Sequence, residues 1–187
     1  VFWMFFATSV GSAVYSLISS SNLVTKLYFP REVIPLSMVG AALIDLGVGL
    51  GTIIPLVIIQ GGAVSVTWIG VVLPLLVLVV WTAAISIFVA VLAAFIRDTV
   101  HGVSLFLRVG FFGVPVMYEA ASLPARFAWT GRANPLAAAI TGARTSMLCG
   151  VWPNFRLLGL QLLAGLVALA AAIVYTSSVE SRIADVV

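Results

Sequence analysis

Four apolar runs, each about 20 residues long or longer, constrain this chain more than any other feature of its sequence. They extend over Val1–Ser19, Leu36–Gln60, Val66–Phe95 and Leu157–Ser177. Because a bilayer core about 30 Å thick requires about 20 apolar residues per helix, each run is long enough to cross it. The runs are continuously apolar rather than alternating, which predicts helices and not barrel strands. We therefore expect an all-α integral membrane protein, a polytopic helical bundle.

The composition indicates that lipid is the main solvent of this chain. Hydrophobic residues make up 63% of its 187 residues, and charged residues only 8%. Soluble domains carry about 25% charged residues, so this chain has too few charges to cover a surface that faces water. Its net charge of +3 comes from scattered side chains that form no basic face. We expect no nucleic-acid partner.

Two shorter apolar stretches need a separate interpretation. Ser104–Tyr118 contains Arg108 and is marginal in length, but turn-forming residues on both sides allow a tilted or partly interfacial span. Leu136–Gly150 is too short to cross and follows Asn134-Pro135, which is a helix-start signal. We predict about five spans in this chain and a short re-entrant or interfacial helical element before the last one.

The second run carries an acidic residue, Asp45, near its middle. A charge at this depth costs at least ~2.5–3.5 kcal/mol, so we expect the side chain to face the bundle interior or a wet cavity. A functional role and a structural hydrogen bond to a neighbouring helix both fit this position. Gly47 and Gly51 form a small-xxx-small pair on the same helix, for which we expect a helix-packing role.

No residue pattern predicts catalysis or a metal site. The single histidine, His101, and the single cysteine, Cys149, exclude a multi-histidine metal site, a cysteine-based zinc site and an intrachain disulfide within this sequence. The sequence lacks a nucleophile elbow, a paired carboxylate set and a GxxxxGK[ST] phosphate-binding loop. We therefore expect no catalytic residue, no metal and no ATP hydrolysis in this chain.

The segment Asn22–Leu36 mixes charges, aromatic residues and two prolines between two apolar runs. This mixture suits a short amphipathic element that lies at the membrane surface or docks into a partner's groove, and an ordinary interfacial turn is the alternative. With this segment the sequence resembles the permease subunits of type-2 ABC exporters, particularly those that export O-antigen, capsule or teichoic-acid chains. The resemblance continues, in the family's order, through Ala94–Asp98, Val114–Tyr118, Asn134–Leu136 and Glu180–Val187.

The resemblance implies a non-catalytic transport subunit in the bacterial cytoplasmic (inner) membrane. It implies six spans in the complete subunit, so residues 1–187 are expected to form a single permease domain without the N-terminal amphipathic helix and the first span. The implied partners are an ABC ATPase subunit that holds ATP and Mg, a second copy of the permease, the lipid bilayer and a lipid-linked glycan substrate. Asn22–Leu36 and Arg97–His101 would be cytoplasmic, and Glu119–Asn154 external.

Two groups of residues are candidates for this function. The expected ATPase-coupling residues are Lys26, Tyr28, Phe29, Pro30, Arg31, Arg97 and Asp98. The expected residues of the translocation path or bundle interior are Asp45, Arg108, Phe111, Phe112 and Tyr118. An ion pair between Asp98 and Arg97 at a helix end is an equal alternative, and aromatic rings at helical spacing also occur on lipid-facing and core surfaces.

Other function classes stay open at this point. A type-2 permease for a drug, haem or another lipid would share the fold, because the fold does not determine the cargo. An integral-membrane enzyme acting on lipid-linked substrates would place several ionisable residues at one interface. The one such cluster lacks a base or nucleophile and comprises Glu119, Arg126, Arg132 and Arg144. A channel or scaffold is the remaining alternative.

Overall fold

The computed structural model describes residues 1–20, 30–60, 65–116, 131 and 133–179. Within these ranges the chain forms helices and no strand, so the all-α prediction is confirmed. The α-helices are α1 (Phe2–Ser19), α2 (Val33–Ile59), α3 (Val72–Phe95), α4 (Thr99–Gly110), α5 (Pro135–Met147) and α6 (Phe155–Ser178). Two 3₁₀ turns, Val66–Val71 and Phe111–Gly113, precede α3 and follow α4.

Four of the described helical segments are long and apolar enough to cross a membrane. They are Phe2–Ser19, Val33–Ile59, Val66–Phe95 and Phe155–Ser178, and they confirm the four long runs. Among these four segments, the largest shift at a start is in α2, which begins at Val33 rather than Leu36. Pro35 does not prevent this earlier start, because the first turn of a helix does not use its N–H groups for internal hydrogen bonds.

The predicted fifth span is only partly within the described residues. Its helix, α4, begins at Thr99 rather than Ser104. At about 1.5 Å per residue, α4 is about 18 Å long, shorter than the roughly 30 Å bilayer core. The 3₁₀ turn extends it to Gly113, but Tyr118, the expected end of the span, lies outside the described residues. A fifth crossing stays a prediction.

The short element before the last span is α5, and its predicted start is confirmed. The Asn134 side chain accepts hydrogen bonds from the N–H groups of Leu136 and Ala137 at 3.0 and 3.4 Å, and Pro135 occupies the first helical position. The helix ends at Met147, before the predicted Gly150. It packs against α3, α6 and the Val66–Val71 turn, which makes it a short helix inside the protein.

Helix α3 lies at the centre of the bundle and packs against α1, α2, α5 and α6. Both α1 and α3 carry fully buried small residues four positions apart, Ser9 and Ala13 on α1 and Ser86 and Ala90 on α3. Small residues at this spacing allow the backbones of two membrane helices to approach closely.

The helix ends form two groups. At one end, Leu17, Ile34, Ala90, Val91 and Ala94 pack together with Val179. This contact brings the last turns of α1, α3 and α6 to the first turn of α2. We call it the Arg97 end, because the chain passes from α3 into α4 there.

At the opposite end, α5 meets the 3₁₀ turn that precedes α3. The Thr67 hydroxyl donates a hydrogen bond to the carbonyl oxygen of Ser146 at 2.9 Å. Gly70 lies against Trp152 and Pro153 in the connection from α5 to α6. We call this the Cys149 end, after the exposed cysteine in the same connection.

Candidate functional site

The start of α2 contributes two of the expected coupling residues to the Arg97 end. Pro30 is exposed, whereas Arg31 is only 8% exposed. Arg31 also closes the first turn of the helix, since its carbonyl oxygen accepts a hydrogen bond from the N–H of Ile34 at 3.3 Å. The buried arginine therefore forms part of this end of the bundle rather than a freely moving surface charge.

The connection between α3 and α4 contributes two more of the expected coupling residues, Arg97 and Asp98, to the same end. Backbone hydrogen bonds close it into a tight turn, from the N–H of Ile96 to the oxygen of Leu92 at 2.8 Å and from the N–H of Thr99 to the oxygen of Ile96 at 3.0 Å. Ile96, Arg97 and Asp98 are exposed on this turn. Asp98 occupies the N-cap of α4 but makes no side-chain cap hydrogen bond.

This geometry gives the Arg97 end a rigid polar corner between two apolar helices. A partner that contacts Arg97 or Asp98 would act directly on the ends of α3 and α4, because no flexible linker intervenes. The other expected coupling residues, Lys26, Tyr28 and Phe29, lie outside the described residues. The structure therefore brings together Arg31 and the Arg97–Asp98 turn at one end of the bundle.

Asp45 lies at the edge of a groove between α1 and α2, which has a volume of about 380 Å³. Met4 and Thr8 of α1 line the same groove. The carboxylate is exposed, because the buried face of α2 is formed by Val39, Ala42 and Leu46 and Asp45 lies beside this face. The described part of a single copy does not enclose Asp45, and its expected position in the bundle interior or a wet cavity stays a prediction.

Arg108 and Phe112 are likewise exposed on the outside of a single copy. Phe111 is half-buried, with its ring edge-on to Trp3 of α1 at a centroid distance of 5.9 Å. Phe112 packs edge-on against Phe111 at 5.6 Å but leaves 74% of its surface exposed. A path lined by these residues would therefore need a second surface opposite α4. Tyr118, the last of this group, is outside the described residues.

The expected packing glycines, Gly47 and Gly51, are exposed. A Cβ added at either glycine would meet nothing within 4 Å. Their packing role stays a prediction that requires another helix. The close approach of α2 to α1 is instead at Gly49, where a Cβ would lie 2.9 Å from the Val1 side chain. The sequence shows the glycines but not which of them faces a neighbour.

One contact at the Cys149 end escaped the sequence reasoning. Arg144 of α5 donates hydrogen bonds to the carbonyl oxygens of Pro115 and Val116 at 3.1 and 3.0 Å. It thereby joins α5 to the chain that follows α4. An arginine inside a short apolar helix does indicate a need for a partner, but not where the partner lies along the chain. Among the residues that the structure describes, no three metal-ligating side chains come together.

No protein-family model matches the chain. An O-antigen export system permease protein RfbA of Klebsiella pneumoniae is 28% identical over 185 residues, which is 98% of this chain and 71% of that protein. A second RfbA from the same organism is 27% identical, also over 98% of this chain and 71% of that protein. The RfbA of Myxococcus xanthus is 33% identical over 125 residues, 65% of this chain and 46% of that protein.

The chain resembles the O-antigen export permeases along nearly its whole length. The three matches carry the same name, and two of them extend over nearly the whole chain, so the resemblance read from the motifs is confirmed. The chain is a multi-pass membrane protein, in which four described helices are long and apolar enough to span the bilayer.

Proposed function

We propose that this permease moves a lipid-linked polysaccharide outward across the bacterial cytoplasmic membrane. Hydrolysis of ATP, with Mg, takes place in a separate ABC ATPase subunit, and two copies of the permease form the transport unit. The names of the curated relatives support a polysaccharide cargo. The long apolar helices support a location in the membrane.

The observation that carries the proposal is the rigid turn at the Arg97 end. Ile96, Arg97 and Asp98 offer an apolar side chain and both signs of charge to a docking partner. The turn is fixed to α3 and α4 by backbone hydrogen bonds, so movement of a bound ATPase changes the position of both helices. Since α4 carries Arg108 and the 3₁₀ turn after it carries Phe111 and Phe112, this motion reaches the expected path.

A charge reversal tests the docking surface. Arg97 and Arg156 are both exposed arginines, and they lie at opposite ends of the bundle. In the full-length permease with its ATPase subunit, we expect Arg97→Glu to lower ATPase co-purification and glycan export at least about fivefold at equal membrane yield. Arg156→Glu is the matched control and should retain both.

Two results would contradict this assignment. Equal losses in the two variants would indicate a general effect of removing an arginine. Full ATPase binding and export in Arg97→Glu would mean that the ATPase contacts another surface.

A further inference from the structure

Helix α6 has a buried side and an outward side. The buried side includes Leu158 and Ala172, which lie toward the rest of the bundle. Positions 7, 11 and 18 residues after Arg156 lie within about 20° of the same face of the helix as Arg156, roughly opposite that buried side. These positions are all apolar and 63%, 71% and 68% exposed: Leu163, Val167 and Val174. We call them the outer α6 stripe, and Arg156 lies directly above it.

Arg156 lies at the level where this stripe reaches the water boundary. Helix α6 has 24 residues. At about 1.5 Å per residue it is about 36 Å long, slightly more than the roughly 30 Å bilayer core. Arg156 is the second residue of the helix and so lies among the lipid headgroups at the Cys149 end.

Two aromatic rings precede Arg156 at the same end. The ring centroids of Trp152 and Phe155 are 5.9 Å apart, and both side chains are about half exposed. Trp152 is held against the 3₁₀ turn before α3, since a Cβ on Gly70 would lie 3.3 Å from its ring. Tryptophan rings favour the boundary between headgroups and acyl chains. The start of α6 is therefore built as a fixed interfacial corner.

The positive charge of Arg156 has no partner within the residues that the structure describes. Its side chain makes no hydrogen bond or ion pair there. The described acidic residues belong to α2 or to the Arg97 end: Glu32, Asp45 and Asp98. The helix dipole does not favour a cation in the first turn, because the N-terminus of a helix carries partial positive charge. Helix stability thus does not explain this arginine, whereas an anion at headgroup level does.

We propose that Arg156, beside Trp152 and Phe155, binds the phosphate of an anionic phospholipid whose acyl chains lie along the outer α6 stripe. A guanidinium can donate two parallel hydrogen bonds to phosphate oxygens. A zwitterionic headgroup presents the same phosphate together with its own cation, which opposes the arginine. The apolar stripe below Arg156 favours a lipid over a soluble anion, because it gives the acyl chains a surface without polar groups.

This contact is separate from the proposed transport function. It lies at the Cys149 end, away from the Arg97 turn, so its loss leaves ATPase docking and export unchanged. In detergent solution the lipid is absent, and Arg156 is then an ordinary exposed arginine.

Quenching by spin-labelled lipids tests the contact in vesicles that contain the full-length permease without other reactive cysteines. Leu160→Cys carries a bimane fluorophore, because Leu160 is 60% exposed about one turn deeper than Arg156. The quenchers are phosphatidylglycerol and phosphatidylcholine, each with a nitroxide near the headgroup. We expect half-quenching at an about fivefold lower mole fraction of phosphatidylglycerol. Arg156→Gln should bring the two lipids to equal mole fractions, and Arg156→Lys should retain part of the preference.

Leu76→Cys is the matched control label. Leu76 is exposed in the second turn of α3, which begins at the same end as α6, and no charged residue lies within the ten positions before it. The same lipid preference at Leu76 as at Leu160 would contradict a site at Arg156. A preference that survives Arg156→Gln would also overturn the proposal. Absence of quenching by either lipid at Leu160 would mean that protein covers the stripe.

A competition separates the lipid from a soluble anion with the same chemistry. Excess inorganic phosphate, compared with chloride at equal ionic strength, should leave the phosphatidylglycerol preference unchanged, because the acyl chains hold the lipid on the stripe. Loss of the preference in phosphate alone would identify a soluble anion as the occupant and contradict a lipid site.

Discussion

At the residue scale, polar side chains in the membrane part of this chain are satisfied largely by backbone carbonyl groups. The hydroxyls of Ser16, Thr82 and Thr176 donate to carbonyl oxygens in the preceding turn of their own helices, at 2.7 to 2.8 Å. Such local bonds are available in lipid without any partner helix. Arg144 differs, because its two carbonyl partners are at Pro115 and Val116 and join separate parts of the chain.

This difference predicts a large effect of replacing Arg144. Arg144→Leu removes two hydrogen bonds from a charged donor, each of which contributes about 1.5–3 kcal/mol. We expect the thermal midpoint of the purified permease in detergent to fall by about 6–24 °C, at about 2–4 °C per kcal/mol for a chain of this size. Arg156→Leu is the control, because Arg156 is exposed at the start of α6. A fall no larger than that of the control would show that the bridge contributes nothing to stability.

Individual residues also show which parts of the candidate site could be predicted from the sequence. The exposure of Arg97 and Asp98 could be expected, because charges between two apolar runs must reach water. The burial of Arg31 could not, since it depends on the packing of three other helix ends around Ile34. Similarly, the need of Arg144 for a partner was visible in the sequence, but its acceptors were not.

At the element scale, the parallel pair α3 and α6 shows how these spans associate. The indole N–H of Trp81 donates to the carbonyl oxygen of Gln161 at 2.9 Å. Farther toward the Arg97 end, the ring centroids of Phe88 on α3 and Tyr175 on α6 are 6.5 Å apart. Gly165 makes room for the indole, since a Cβ there would lie 2.9 Å from the Trp81 ring.

Two glycines of α6 provide a matched comparison of this packing. Gly165→Ala places a methyl group against a bulky ring, and overpacking of this kind costs about 1–3 kcal/mol. Gly159→Ala meets open space, where a Cβ would have nothing within 4 Å. We expect a lower thermal midpoint for Gly165→Ala and an unchanged or higher one for Gly159→Ala, measured in detergent. Equal midpoints would contradict the close α3–α6 contact.

The helices themselves were largely predictable, and their neighbours were not. Apolar runs of bilayer length predict spans because lipid leaves the backbone no other way to satisfy its hydrogen bonds. Asn134 and Pro135 predicted the start of α5 through local capping chemistry. The choice of Gly47 and Gly51 for packing did not identify Gly49, because the face that a helix turns inward depends on the helices around it.

At the scale of the whole molecule, the account depends on which end of the bundle faces the cytoplasm. The arginines of the described residues do not decide this, because Arg31 and Arg97 lie at one end and Arg144 and Arg156 near the other. The resemblance to exporter permeases implies a cytoplasmic Arg97 end, and this orientation stays a prediction. An ATPase that uses cytoplasmic ATP can dock on the Arg97 turn only in this orientation.

Labelling of Cys149 tests this orientation most directly, because it is exposed at the opposite end and is the only cysteine of the 187 residues. In intact spheroplasts, a membrane-impermeant maleimide should label the native protein but not the Cys149→Ser variant. In that variant, an added Arg97→Cys should react only after the membrane is permeabilised. The reverse pattern, with Arg97→Cys labelled from outside and Cys149 protected, would place the Arg97 turn beyond the reach of an ATPase and contradict the account.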